Sequence, residues 1–385
     1  MPVLRTFLRI LLRTWAATYA GAGLALPAAP AHAQDNTPIK VGAVLSISGA
    51  AAGLGIPERT GALAAEKAIN AAGGIGGRPV QLVIEDDTTN PDTAVSKVND
   101  LIYNQKVVAV LGGSNLPASV AMGGITDKAH VPQMAFTGLG PDVEKNRRCE
   151  FHMFTSHELN ARALLTFSLD ALHARKLAVL HDSGYGAVVM REFNRILKQY
   201  PVEIVDVEKF ELSATDVTAQ AARIRAAGPE AIIVIALQAA PFRAIRDLQM
   251  KQPIVAVNGA SSYEIVSAMG SAADNVIFPE FVVSEDPLPQ QRDFVDYLAK
   301  EFGVRAKNAE AVAWDGLQVI ARALGKAGAG ATGEALCDAV RAPWAGVTTQ
   351  YDFAARDMTG ITLSGYIFSK LVDGKYTRLP YRMKD

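Results

Sequence analysis

Ile39-Lys40-Val41-Gly42-Ala43-Val44-Leu45, followed by the small-residue stretch 46–55 and then by Pro57-Glu58, is the segment on which the fold turns. The opening run is rich in β-formers and barely alternates in polarity, as expected of a strand covered on both faces in a parallel sheet. After the loop, Pro57 and Glu58 suit the first turn of a helix. Ala62, Ala65, Ile69 and Ala72 then keep helical spacing up to the Gly73-Gly74 stop. Strand, small-residue loop and helix in that order make one unit of an α/β fold.

The same grammar continues along the chain. Strands are predicted over 80–85, 107–111 and 131–136, alternating with helices over 93–103 and 118–129, and the strand pattern resumes at 177–180, 231–235 and 254–257. Alternation of this kind predicts doubly wound parallel sheets, two of them in series. Beyond Phe278 the spacing predicts two long helices, 289–302 and 309–327, before the joint Gly328-Ala329-Gly330. Residues 346–379 alternate like short antiparallel strands, with Thr362, Ser364 and Tyr366 on one side and Leu363 and Ile367 on the other.

Upstream of this pattern, residues 1–33 read as a signal peptide. Arg5, Arg9 and Arg13 supply the charged start, 15–30 the apolar stretch, and Ala31-His32-Ala33 the site cut before Gln34. A spanning helix needs about 20 apolar residues, whereas this stretch is broken by Pro27 and Pro30. Periplasmic residence is the expectation. A lipid anchor would need a cysteine at the cut, and the only cysteines are Cys149 and Cys337. In an oxidising compartment those two could form a disulfide, and the sequence leaves their pairing open. A net charge of −1 without clustered Lys and Arg excludes a nucleic-acid or anionic-membrane partner. The chain beyond residue 33 is longer than one core usually holds, so two lobes are expected.

Several blocks carry a family resemblance: Ile39-Lys40-Val41-Gly42 with Leu45-Ser46-Ile47-Ser48-Gly49, then Ala68-Ile69-Asn70-Ala71-Ala72-Gly73-Gly74-Ile75-Gly76-Gly77-Arg78, Glu85-Asp86-Asp87, residues 107–113, and Gly184-Tyr185-Gly186. In this order and spacing, the chain from Ile39 to about Tyr376 resembles the leucine/isoleucine/valine-binding type of periplasmic binding protein. The resemblance implies an α/β fold of two Rossmann-like lobes, the type I arrangement, joined by a three-crossover hinge. Lobe 1 would comprise 38–152 plus 282–350 and lobe 2 would comprise 153–281 plus 351–385, with crossovers near His152, Phe281 and Tyr351. It further implies a monomer without cofactor that binds a small-molecule ligand between the lobes and passes it to the permease and ATPase subunits of an ABC importer.

Candidate ligand contacts follow from the loops at the carboxyl ends of the strands, where helix starts present unpaired N–H groups to anions. Gly113, Ser114 and Asn115 precede one helix, and Thr137 and Gly138, with Gly140, follow the next strand; Gly113, Ser114 and Thr137 are the expected carboxylate cradle. Carried over from the resemblance, Tyr185 packs on the ligand and Trp314 is a second aromatic contact. Phe154, His157 and Gln238 fall where second-lobe contacts would lie. The resemblance also marks departures: Leu54 replaces a tyrosine, Leu139 a threonine, and Asn258 the acid that pairs with a ligand's ammonium. Losing the counter-charge of a desolvated ammonium costs several kcal/mol, so the expected ligand is an organic or aromatic acid, or an amino-acid-like carboxylate. The alternatives are a branched-chain amino acid binder proper, or a periplasmic sensor presenting solute to a separate receptor.

Catalysis is not expected. His157-Glu158 begins a zinc-protease helix motif, but Ala161 stands where its second histidine belongs, and no nucleophile elbow, Walker loop or Cys-x-x-Cys pair occurs. Asp86 and Asp87 are adjacent and would point to opposite sides of a strand. Gly73-Gly74-Ile75-Gly76-Gly77 follows a helix and precedes a strand, the wrong order for a dinucleotide fingerprint, and reads as a turn.

Overall fold

The computed structural model describes residues 36–138, 147–354 and 359–385. The proposed signal peptide, Leu139 and Gly140 lie outside them. The first half runs β1 (Ile39–Leu45), α1 (Ala52–Ala71), β2 (Val80–Asp86), α2 (Pro91–Asn99), β3 (Ala109–Gly112), α3 (Leu116–Lys128), β4 (Gln133–Ala135) and β5 (Glu150–His152). These strands form a wholly parallel sheet in the order β2-β1-β3-β4-β5.

The next half repeats the design with α4 (His157–Asp170), β6 (Lys176–Asp182), α5 (Tyr185–Ile196), β7 (Glu203–Phe210), α6 (Thr218–Ala227), β8 (Ala231–Ile235), α7 (Ala240–Asp247), β9 (Ile254–Ala256), α8 (Tyr263–Met269) and β10 (Val276–Glu280). Three helices follow, α9 (Arg292–Phe302), α10 (Asn308–Ala327) and α11 (Gly333–Val340). The chain ends in β11 (Trp344–Ala345), β12 (Gln350–Tyr351), β13 (Ile367–Val372) and β14 (Lys375–Arg378). The second sheet has the order β14-β13-β10-β9-β8-β6-β7, in which β13 alone runs against the other strands. Its interior strand β8, Ala-Ile-Ile-Val-Ile, is buried at every position. A strand covered on both faces has no solvent side to fill with polar residues.

The chain passes between the sheets three times: after His152, after Glu280, and through the segment that leads from the β11–β12 ribbon to β13. Between the second and third passages, α9 and α10 pack back against α1 of the first sheet, around Ala64, Val282, Phe294, Leu298 and Ala311. Gly61 permits that approach, since a Cβ there would lie 2.1 Å from the carbonyl oxygen of Glu310. The third passage lies beside the first, where Thr359 bridges His152.

Several expectations shift. α1 begins at Ala52, so Pro57 lies inside it rather than in its first turn. Proline removes one donor, and the acceptor left unmatched is the carbonyl of Gly53, one turn earlier. The helix expected over 93–103 is α2 followed by a π-helical turn, Asp100–Asn104. Within 346–379, β12 pairs antiparallel with β11, residues 363–365 form a 3-10 turn, and the antiparallel strands that join the second sheet begin at Ile367. β5, three residues long with Glu150 and His152 flanking Phe151, escapes a sequence reading because it carries a single apolar residue. β7 escapes because it is an edge strand studded with Glu203, Asp206, Glu208 and Lys209, the charges that keep sheet edges from pairing further. Cys149 and Cys337 are joined, Cα to Cα 5.2 Å, tying the entry of β5 to α11.

Candidate functional site

Loops leaving the carboxyl ends of β3 and β4 face those leaving β8 and β9 across a cavity of about 590 Å³. This is where an open α/β sheet places its ligand, because helix starts and loop side chains converge there. From the first-sheet side come α1 around Glu58, the start of α3 at Ser114 and Asn115, Thr137 after β4, and Asn308 to Glu310 at the start of α10. From the second come Phe154, His157 and Asn160 around α4, Tyr185 and Val188 on α5, and Asn258 to Glu264.

Of the residues expected from sequence, Leu54, Ser114, Asn115, Thr137, Phe154, His157, Tyr185 and Asn258 line this cavity. Gly113, Gly138, Gln238 and Trp314 do not. Gly113 has φ +49°, and a Cβ on it would sit 2.6 Å from Ser119 Cα, so its task is to turn the chain into α3. Gly138 abuts the first crossover, where a Cβ would meet the carbonyl oxygen of Thr155 at 2.2 Å. The Gln238 amide donates to the Leu212 carbonyl at 2.8 Å, and its neighbour Leu237 reaches the cavity instead. Trp314 lies edge-on to Phe294 and Tyr297, with ring centroids 5.3 and 5.6 Å away, so its ring serves the α9–α10 packing.

Local hydrogen bonds define what each wall offers. Asn115 caps α3 by accepting from the Ala118 N–H at 3.0 Å and donates to Ser46 Oγ at 3.0 Å. Ser114 Oγ accepts from the Ser46 N–H at 3.0 Å and donates to the Glu58 carboxylate. A hydroxyl has one proton, so Ser114 has none left for a ligand. Burial, opposed by that hydrogen bond and reinforced by Asp87 and Glu310, pushes the Glu58 carboxyl up to about 8. On the opposite wall, Ser156 caps α4 by accepting from the Leu159 N–H. His157, edge-on to Tyr185, has neither ring nitrogen hydrogen-bonded to the protein, and burial holds its pKa below the ordinary value, leaving a neutral imidazole. Tyr185 Oη accepts from Asn160, which in turn accepts from Tyr366 Oη at 3.0 Å.

Asn258 has both polar atoms tied to the protein, donating to the Pro279 carbonyl at 2.9 Å and accepting from Asn308 at 3.4 Å. Beneath it, Lys307 Nζ pairs with Glu280 at 2.8 Å and lies 3.3 Å from the Tyr376 ring centroid. Asn308 and Ser261 add hydrogen bonds to the same carboxylate. A buried ion pair persists only when its remaining oxygens are satisfied in this way. Sequence reading missed Glu58, Asn160, Lys307, Asn308 and Glu310 as cavity residues. Glu58 was in view only as a helix-start residue, and the others carried no local signal. Among the described residues no group of His, Cys, Asp and Glu is arranged to hold a metal ion.

The sequence profile of the periplasmic binding protein family matches residues 38–369. The chain belongs to that family. Its fold is that of solved substrate-binding proteins. An amino acid binding protein of Pseudomonas aeruginosa is 29% identical over 58% of this chain, which spans 61% of that relative's length. A Leu/Ile/Val-binding protein homolog of Brucella abortus is 24% identical over 79% of this chain and 80% of its own. Among solved structures, the branched-chain amino acid transporter substrate-binding protein LivJ of Streptococcus pneumoniae, in complex with isoleucine, superposes with a TM-score of 0.78. It is 24% identical, and the match covers 88% of this chain and 98% of that one. A substrate-binding protein of Sphaerobacter thermophilus gives 0.79 at 22% identity, over 89% and 96% of the two chains. No helix among the described residues is long and apolar enough to cross a membrane.

Proposed function

We propose that this chain is the periplasmic solute-binding component of an ABC importer, which closes two lobes over a small carboxylate-bearing molecule and delivers it unchanged to a permease. The observation that carries this reading is the cavity, because both sheets contribute its walls and a ligand within it touches both. A ligand that contacts two bodies only when they are closed shifts the open–closed balance toward closure. The three chain passages between the sheets are the hinge of that motion. The lining suits an organic solute: Phe154, Tyr185, Val188 and Leu237 supply apolar surface, and Thr137, His157 and the starts of α3 and α4 supply polar groups for a carboxylate.

The test combines thermal shift and solution scattering with a panel of aliphatic and aromatic carboxylates and amino acids. A binder should raise the melting temperature and reduce the radius of gyration, and Val188→Trp, which projects an indole into the cavity, should abolish both effects. Binding that survives Val188→Trp, or a panel member converted to product, would refute the reading.

A further inference from the structure

Two carboxyl groups, Glu58 and Glu310, face the cavity from the first-sheet wall with Asp87 buried behind Glu58, and one Glu310 oxygen accepts from the Lys307 N–H at 2.9 Å, leaving the other open. Glu58 on α1 is 3% exposed and Glu310 on α10 is 8% exposed. Asp87, just after β2, is fully buried, and its Oδ2 has no hydrogen-bond partner. Gly61 allows α1 and α10 to approach so closely that the first two face one cavity. The one proton of Ser114 is already given to Glu58, and Lys307, the lysine of the lining, is held by Glu280 and the Tyr376 ring. On the far side Glu264, at the start of α8, adds another acid. The wall therefore presents buried carboxyl oxygens, where negative charge is costly unless it is met by a cation or a proton. In the empty cavity burial and the two neighbouring acids favour the proton at Glu58, and burial likewise raises Glu310.

We propose that Glu58 and Glu310 receive a protonated nitrogen of the captured solute, and that capture expels the proton held at this wall. The inference rests on the reading of this cavity as the solute site. It places a cation anchor on the first-sheet wall, where Asn258 on the opposite side carries no charge. The exchange balances: the Glu58 carboxyl loses its proton to solvent, and the carboxylate left behind pairs with the incoming ammonium. Capture should then weaken about tenfold for each unit of pH below 8. A solute whose own carboxylate accepts a hydrogen bond from protonated Glu58 would show the reverse trend above that pH.

The experiment is calorimetry on matched sets: L-phenylalanine, 3-phenylpropanoate and 2-phenylethylamine, then L-leucine, 4-methylpentanoate and 3-methylbutylamine. Titrations run in buffers of different ionisation enthalpy. The expected result is that amine-bearing members bind more tightly than their deaminated partners, with about one proton released near neutral pH. Glu58→Gln should weaken the amine-bearing members by about tenfold or more and change the deaminated acids little; it keeps the shape and removes a buried ionisable group, so folding is preserved, as a melting curve will check. Deaminated acids binding as tightly as their amine partners, or amine binding without proton release and indifferent to Glu58→Gln, would overturn the proposal while leaving the solute-binding reading in place. Retention of amine binding in Val188→Trp would instead overturn the site assignment, and this proposal with it.

Discussion

Replacing Glu58 by glutamine should stabilise the ligand-free protein, by an amount that grows with pH. The carboxyl is buried at the α1–α10 contact and its pKa is pushed up to about 8 from an ordinary 4.5. The folded state therefore holds the proton more tightly than the unfolded chain. Any stability this group allows is fully present below pH 4.5 and is lost as the pH rises through 8. At pH 7 the folded protein keeps a proton that the unfolded chain has already released, which costs about 3 kcal/mol. Glutamine has no proton to keep and can accept the Ser114 hydrogen bond as the neutral acid does, so the net gain at pH 7 is about 3 kcal/mol. The stability difference between variant and parent should widen by about 1.4 kcal/mol per pH unit between pH 5 and 8 and then level off. Urea unfolding followed at several pH values measures this directly, since the midpoint shift at constant slope reports stability. A difference that stays flat across that range would show that Glu58 is not the buried, proton-holding group described here.

Two further outcomes test the framework around the site. Replacing Cys149 and Cys337 by serine opens a loop with a sequence separation of 188, and chain entropy sets the loss at about 5 kcal/mol; a melting temperature insensitive to reductant would refute a formed bridge. Lys307→Met leaves Glu280 buried without its cation and should cost about 3–5 kcal/mol in urea unfolding. Adding Glu280→Gln should recover most of that loss, and a single variant as stable as the parent would show that the pair is not buried together.

The sequence by itself determined the strand–helix alternation apart from β5 and β7, the mainly parallel character of both sheets, and the loops that carry a site. These properties are written in contiguous residues: a run such as 231–235 is apolar throughout because both its faces are covered, and Gly73-Gly74 ends α1 where no side chain is needed. Such signals are legible because propensity and burial act over a few neighbouring positions. Ser114 and Asn115 were legible for the same reason, as a polar pair just ahead of a helix. Only the tertiary structure decided which of the candidates share a wall. It turned Trp314 toward α9, gave the Ser114 proton to a glutamate 56 positions away, and joined two cysteines 188 positions apart. It also brought Glu58 and Glu310 to one wall with Asp87 behind them, because α1 and α10 cross at Gly61. Charge meets charge through packing between distant segments, and no local pattern encodes that distance.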